Sequence, residues 1–129
     1  MNRWISEDLT LLAETYSLTL TAGDGGRDSV EIGMAVVDGK VYVRSYRGVR
    51  SRWYQAARKH GHGQIQVAGV THDVVLTAGD LTLPAGLDAA FRAKYGPVSD
   101  ALIAVPEARA ATIRIDPAPP RRLNEPPAS

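Results

Sequence analysis

The chain reads as mainly β, with six short strands forming an antiparallel barrel and helices set between its hairpins. Three features lead there. Two β-prone runs, SVEIGMAVV and KVYVRSY, flank Asp38-Gly39, a dipeptide that favours a tight type I′ turn. A second pair, GQIQV and THDVVL, meets around Ala68-Gly69. No Gly-x-Gly-x-x-Gly joins a strand to a helix and no Walker-type Gly-Lys-Ser/Thr occurs, so a parallel, doubly wound nucleotide fold loses its sequence support.

The elements follow in order. Ser6, with Glu7 and Asp8 behind it and Leu9, Leu11 and Leu12 after, reads as the cap of an N-terminal helix whose first-turn acids suit the exposed amides. Tyr16 to Thr21 alternates as a strand, and AGDGGRD is a glycine-rich turn. Gly33, inside SVEIGMAVV, predicts a bulge, a sharp bend or a close approach to the backbone. SRWYQAARKHG lacks alternation and holds helix formers, with Gly61 as its stop. Pro84 opens a second helix, PAGLDAAFRAKYG, ending at Gly96. SDALIAVPEARAAT fits either a short helix or a loop before the last strand, TIRID. Residues 1–116 thus form one domain. The tail from Pro117 to Ser129 has five prolines in 13 residues and is expected to be extended or disordered.

Charge is the most informative part of the composition. The formal net charge is only +1, yet Gly39 to His72 holds seven basic residues, three histidines and no acid. The other 95 residues carry eight basic and 14 acidic ones. A local anion site is the economical reading, whereas a nucleic-acid binder would be basic over a broad face. With no cysteine, disulfides, thiolate catalysis and zinc-thiolate sites are excluded. No apolar run is long enough to span a membrane, and the N-terminus lacks a basic-then-apolar export signal, so a soluble cytoplasmic protein is expected.

Within VYVRSYRGVRSRWYQAARKHG, alternation places Val41, Val43 and Ser45 on one face and Tyr42, Arg44 and Tyr46 on the other. Arg44 and Ser45, at a strand end, are suited to grip a phosphate through a guanidinium fork and a hydroxyl. Arg47, Gly48 and the amides opening the next helix would add donors. The other reading is a basic loop whose arginines pair with acids from elsewhere in the fold. As exposed loop residues, Arg44 and Arg47 are expected to contribute little to stability. Trp53 and Tyr54 point about 100° apart on a helix, so one can enter the core while the other reaches a groove. The alternative is that both simply pack. His60, His62 and His72 match no zinc signature, and no metal site is expected; as turn residues they are solvated, or one of them acts as an acid or hydrogen-bond donor. Glu31 faces either a pocket or water. No Gly-x-Ser-x-Gly and no glycosidase-like acid pair supports hydrolysis. Glu31, Tyr46, Tyr54 and His62 are therefore the acid-base candidates.

The spaced pattern Tyr42–Tyr46, Gly48, Trp53, Tyr54 and Ala57, preceded by a hairpin and followed by GHGQIQVAGVTHDVVL, resembles the bacterial DUF2255 family over Leu9 to about Asp116. That family looks related to the flavin-binding split barrels, which include pyridoxamine-phosphate oxidases and deazaflavin-dependent nitroreductases. The resemblance implies a six-stranded split barrel and a homodimer with its cofactor site across the two-fold interface. It also implies that Arg44, Ser45, Arg47, Gly48, Trp53 and Tyr54 border the cofactor phosphate. An oxidoreductase using F420 or FMN to move a hydride to a small planar, electron-poor substrate is the leading expectation, the cofactor performing the chemistry. This chain departs from the family pattern where Glu31 and Gly33-Met34 replace a basic residue and bulkier ones. The alternative is therefore a cofactor-free barrel, either a small-molecule binder or a pathway enzyme, with Glu31, Tyr46, Tyr54 and a histidine lining its cavity. A third class is an interaction module whose basic face meets an acidic partner or nucleic acid.

Overall fold

The computed structural model describes residues 3–23, 28–45, 47–78, 83–97 and 106–118. The chain runs through α1 (Ser6–Glu14), β1 (Leu18–Ala22), β2 (Asp28–Ile32), β3 (Ala35–Val37) and β4 (Lys40–Arg44). A 3-10 turn at Gly48–Arg50 then leads into α2 (Arg52–His60), β5 (His62–Val67) and β6 (Val70–Ala78). The last described elements are α3 (Leu87–Tyr95), α4 (Pro106–Ala110) and β7 (Thr112–Pro117).

All pairings are antiparallel, in the order β2-β1-β5-β6-β7-β4-β3. β2 and β3 are neighbours in the chain, separated by Gly33-Met34, yet they form the two ends of the sheet. The sheet therefore curls until its ends meet at that break, giving an open, split barrel flanked by helices. This is the expected architecture, with seven strands among the described residues in place of six, because the run SVEIGMAVV is cut in two. The reason is steric: a β-carbon on Gly33 would lie 2.7 Å from the Cζ and Oη atoms of Tyr95, so only glycine lets α3 reach the seam.

Both hairpins form as expected. Asp38 and Gly39 have φ of 53° and 76°, and Ala68 and Gly69 have 49° and 80°, the paired positive values of type I′ turns. Gly61 ends α2 in the left-handed region at φ 70°. Two helix starts differ from expectation. Ser6 is the first residue of α1, Ile5 is its N-cap, and no side chain caps it. α3 begins at Leu87 after a turn closed by the Leu87 N–H donating to Pro84 O, so Pro84 precedes the helix. The ambiguous segment resolves at its end as α4; its residues 99–105 lie outside the described residues, as do 24–27 of the glycine-rich turn and 119–129 of the tail.

Alternation fills the barrel. Leu18, Leu20, Ile65, Leu76, Ile113 and Ile115 are buried in one cluster that Leu12 of α1 and Tyr54 of α2 close. Val41 and Val43 join it, while Tyr42, on the opposite face, packs with Ala35, Leu87 and Phe91 under α3. β4 is thus buried on both faces, and that fixes where its last residue, Arg44, must go.

Candidate functional site at the end of strand β4

Arg44 leaves the strand on the Tyr42 face and passes beneath α3, where its side chain is only 1% exposed. The expectation of an exposed loop arginine is overturned, since a strand sandwiched between two clusters has no solvent face. Its guanidinium lies 5.4 Å from the Phe91 ring centroid, within cation-π range. Its Nε donates to Thr112 Oγ1 at 2.8 Å, and the Thr112 hydroxyl donates to Arg109 O at 2.8 Å. Its Nη1 donates to the Asp88 carboxylate.

Asp88 holds a second arginine. Arg109 donates through Nε and Nη2 to Asp88 Oδ2 at 3.0 and 2.6 Å. Burial alone pushes the Asp88 carboxyl up, but hydrogen bonds and charge from Arg44 and Arg109 outweigh it and hold the group below the usual carboxylate range. Among the described residues, two guanidiniums thus converge on one carboxylate. This cluster lines a cavity of about 240 Å3, whose remaining walls are the backbone and side chains of Leu83 to Leu87.

The neighbouring candidates are tied to the C-terminal segment. Ser45 is buried, its hydroxyl bonded to that of Ser51 at 2.9 Å and its N–H donating to Ala111 O at 3.2 Å. Gly48 is buried at φ 77°, with Glu107 packed against it. Tyr54 is 1% exposed, and its hydroxyl reaches Ala110 O at 3.4 Å. It is the aromatic that enters the core, while Trp53 packs half-buried against it. Arg47 is exposed at the start of the 3-10 turn. Tyr46 lies outside the described residues.

The other acid-base candidates stand apart from this cluster. Glu31 is exposed on β2, an end strand, paired in register with Thr19. His62 is exposed, its Nδ1 3.0 Å from His60 O, and His72 packs edge-on to Trp4 at 5.4 Å. None of Glu31, Tyr54 and His62 lines the cavity beside Arg44. Among the described residues no group of His, Asp and Glu side chains is placed to hold a metal, and no helix is long and apolar enough to cross a membrane.

Sequence reasoning missed Asp88, Arg109 and Thr112, which join Arg44 in the cluster. The missing signal was indirect: a basic segment without local acids must borrow its counter-charge, and Asp88 sits in a first helical turn where an acid already has a reason to be.

Comparison with known families matches residues 8–115 to the family described as "Uncharacterized protein conserved in bacteria (DUF2255)". A search of curated proteins finds no match.

Proposed function

The chain belongs to the DUF2255 family, and from that premise we propose that it is a split-barrel protein that anchors the anionic end of a small molecule beside Arg44, Asp88 and Arg109. The supporting observation is the convergence of two guanidiniums at the wall of a cavity, one buried and one half-exposed. Arg109 is the adaptable member: its side chain is 47% exposed, and it can turn from Asp88 toward an entering carboxylate or phosphate. Asp88 keeps Arg44 in place meanwhile, and Thr112 fixes the plane of its guanidinium.

The cavity of about 240 Å3 is smaller than the roughly 300–1,000 Å3 of sites that enclose drug-sized ligands. It suits a small acid or the phosphate end of a larger molecule, and it does not enclose a three-ring cofactor. A cofactor-free binder or pathway enzyme is accordingly the better-supported reading.

The second reading, an FMN- or F420-dependent oxidoreductase, is favoured by the curled, open antiparallel sheet, a shape compatible with cofactor-binding split barrels. A bound flavin or deazaflavin would supply hydride transfer. This chain's own part would be to hold the phosphate with Arg109 and Arg44, leaving the ring outside the cavity, against a second copy in a homodimer. The ends of the sheet, β2 and β3, are the strands such a partner would cover.

Calorimetric titration with inorganic phosphate, small phosphorylated and dicarboxylic acids, FMN and F420 tests both readings. Saturable binding of small anions, weakened about 10- to 100-fold by Arg109→Ala, supports the anion anchor. Tight binding of FMN or F420 with the same sensitivity selects the redox reading. Absence of saturable binding of any of them to the high millimolar range, or indifference to Arg109→Ala, overturns the site.

A further inference from the structure

The opposite end of strand β4 borders a larger concavity. Arg114 and Asp116 alternate with the core residues Ile113 and Ile115, so they face outward from β7, and Val75 of β6 pairs with Asp116 in register. On one side of this face stands the N-terminal segment. Trp4 is pinned there by its indole N–H, which donates to Ile115 O at 2.9 Å, and Leu9 of α1 follows. On the other side is the Asp38-Gly39 turn with Lys40. Between them lies a cleft of about 690 Å3, within the range of small-molecule sites.

Its lining is divided by chemistry. Leu9 and Val75, the latter 37% exposed, supply an apolar wall that the largely buried Trp4, 6% exposed, backs. The charged members are Arg3, Lys40 and Arg114 against Asp38 and Asp116. Arg114 and Asp116 neutralise each other through an Nε–Oδ2 contact of 2.8 Å. Arg3 and Lys40 form no ion pair among the described residues, so two cations face the single carboxylate of Asp38. An apolar wall beside an under-neutralised basic rim is complementary to a molecule with a flat hydrocarbon body and one negative group.

We propose that this cleft is a second binding site, specific for a small aromatic organic anion, its ring against Trp4, Leu9 and Val75 and its charge toward Lys40 and Arg3. The site is independent of the Arg44 cluster. Lys40 and Arg44 are the two ends of one strand, four residues or roughly 13 Å apart, and the two cavities share no lining residue.

The test uses 2-naphthalenesulfonate as the anionic probe and 2-naphthalenemethanol as its neutral counterpart. The chain's two tryptophans are Trp4 and Trp53, so in a Trp53→Phe background Trp4 alone reports binding. The expected result is saturable quenching of Trp4 by the sulfonate. Roughly three- to tenfold weaker binding is expected for the neutral probe, and a similar loss for the charge reversal Lys40→Glu. Lys40 is exposed, so that variant is expected to fold, which circular dichroism checks. Arg109→Ala leaves the sulfonate affinity unchanged even if it abolishes anion binding at the other site, so the two proposals fail separately. Absence of saturation, or equal affinity for both probes and for Lys40→Glu, overturns the proposal. So does a dimer, seen by sedimentation, that Val75→Arg dissociates while the sulfonate fails to bind, since a second copy would then be the occupant.

Discussion

Gly33→Ala is the most telling single perturbation of this barrel. The backbone there is ordinary for an L-residue, since Gly33 is not among the positive-φ glycines, so any cost comes from space alone. The new methyl would sit 2.7 Å from Tyr95 Cζ and Oη and 3.2 Å from Cε1, and the ring must withdraw by about 0.7 Å or more to restore ordinary contact. That ring carries a hydrogen-bonded junction. Met34 N–H donates to Tyr95 Oη at 2.8 Å, and the Tyr95 hydroxyl donates to Tyr16 O at 2.6 Å. Met34 is fully buried, so its freed N–H costs about 1–3 kcal/mol, and the lost Tyr16 contact roughly another 1 kcal/mol. A loss of about 2–4 kcal/mol follows, lowering the melting temperature by on the order of 10 °C. The double-mutant cycle with Tyr95→Ala isolates the cause. Once the ring is gone, Gly33→Ala costs almost nothing, or gains about 0.5 kcal/mol because alanine restricts the unfolded chain. Urea denaturation of the four proteins measures the coupling, expected at about 2 kcal/mol or more. Costs that add to within about 0.5 kcal/mol would refute the reasoning, because the two sites would then act independently.

Three further outcomes are expected. Arg44→Ala removes a buried guanidinium from Asp88, Thr112 and Phe91; because Asp88 keeps Arg109, the loss is about 2–3 kcal/mol in urea denaturation, against less than about 0.5 kcal/mol for exposed Arg58→Ala. Lys94 donates to Leu12 O and Met34 O, each at 3.0 Å, and burial pushes its ammonium down to about 8. An unfolded lysine keeps its proton to about pH 10.4, so between the two values the unfolded state binds more protons and stability rises with pH. Urea midpoints at pH 7.5 and 9.5 should show that rise in the native protein and a flatter response in Lys94→Met. Ala68→Gly relieves the left-handed conformation of the β5–β6 turn, φ 49°, and should stabilise by about 0.5–1 kcal/mol in thermal melts.

What the sequence made legible was local, and what it hid was long-range. The Asp38-Gly39 and Ala68-Gly69 turns, the Gly61 stop and the alternation of β1 and β5 depend on residues a few positions apart, and each is present. The two misplaced helix starts are local as well, but a serine cap and a proline opening are preferences that the Ser6 and Pro84 backbones were free to decline. Gly33 shows the boundary between the two kinds of information. Its presence announced a break or a close approach, yet Tyr95, which makes the break necessary, lies 62 positions away. Arg44 is the stronger case. Its segment contains no acid, an absence that invites a ligand; Asp88, 44 positions on, supplies a counter-charge from within the fold. The two readings are compatible because Asp88 is shared. One carboxylate between two guanidiniums binds Arg44 as structure and holds the more exposed Arg109 at the cavity wall. On the proposed reading, an entering anion would be met by the exposed partner, Arg109. If the proposed site holds an anion, the buried arginine that the sequence picked out would act on it mainly through the surface arginine that the sequence did not.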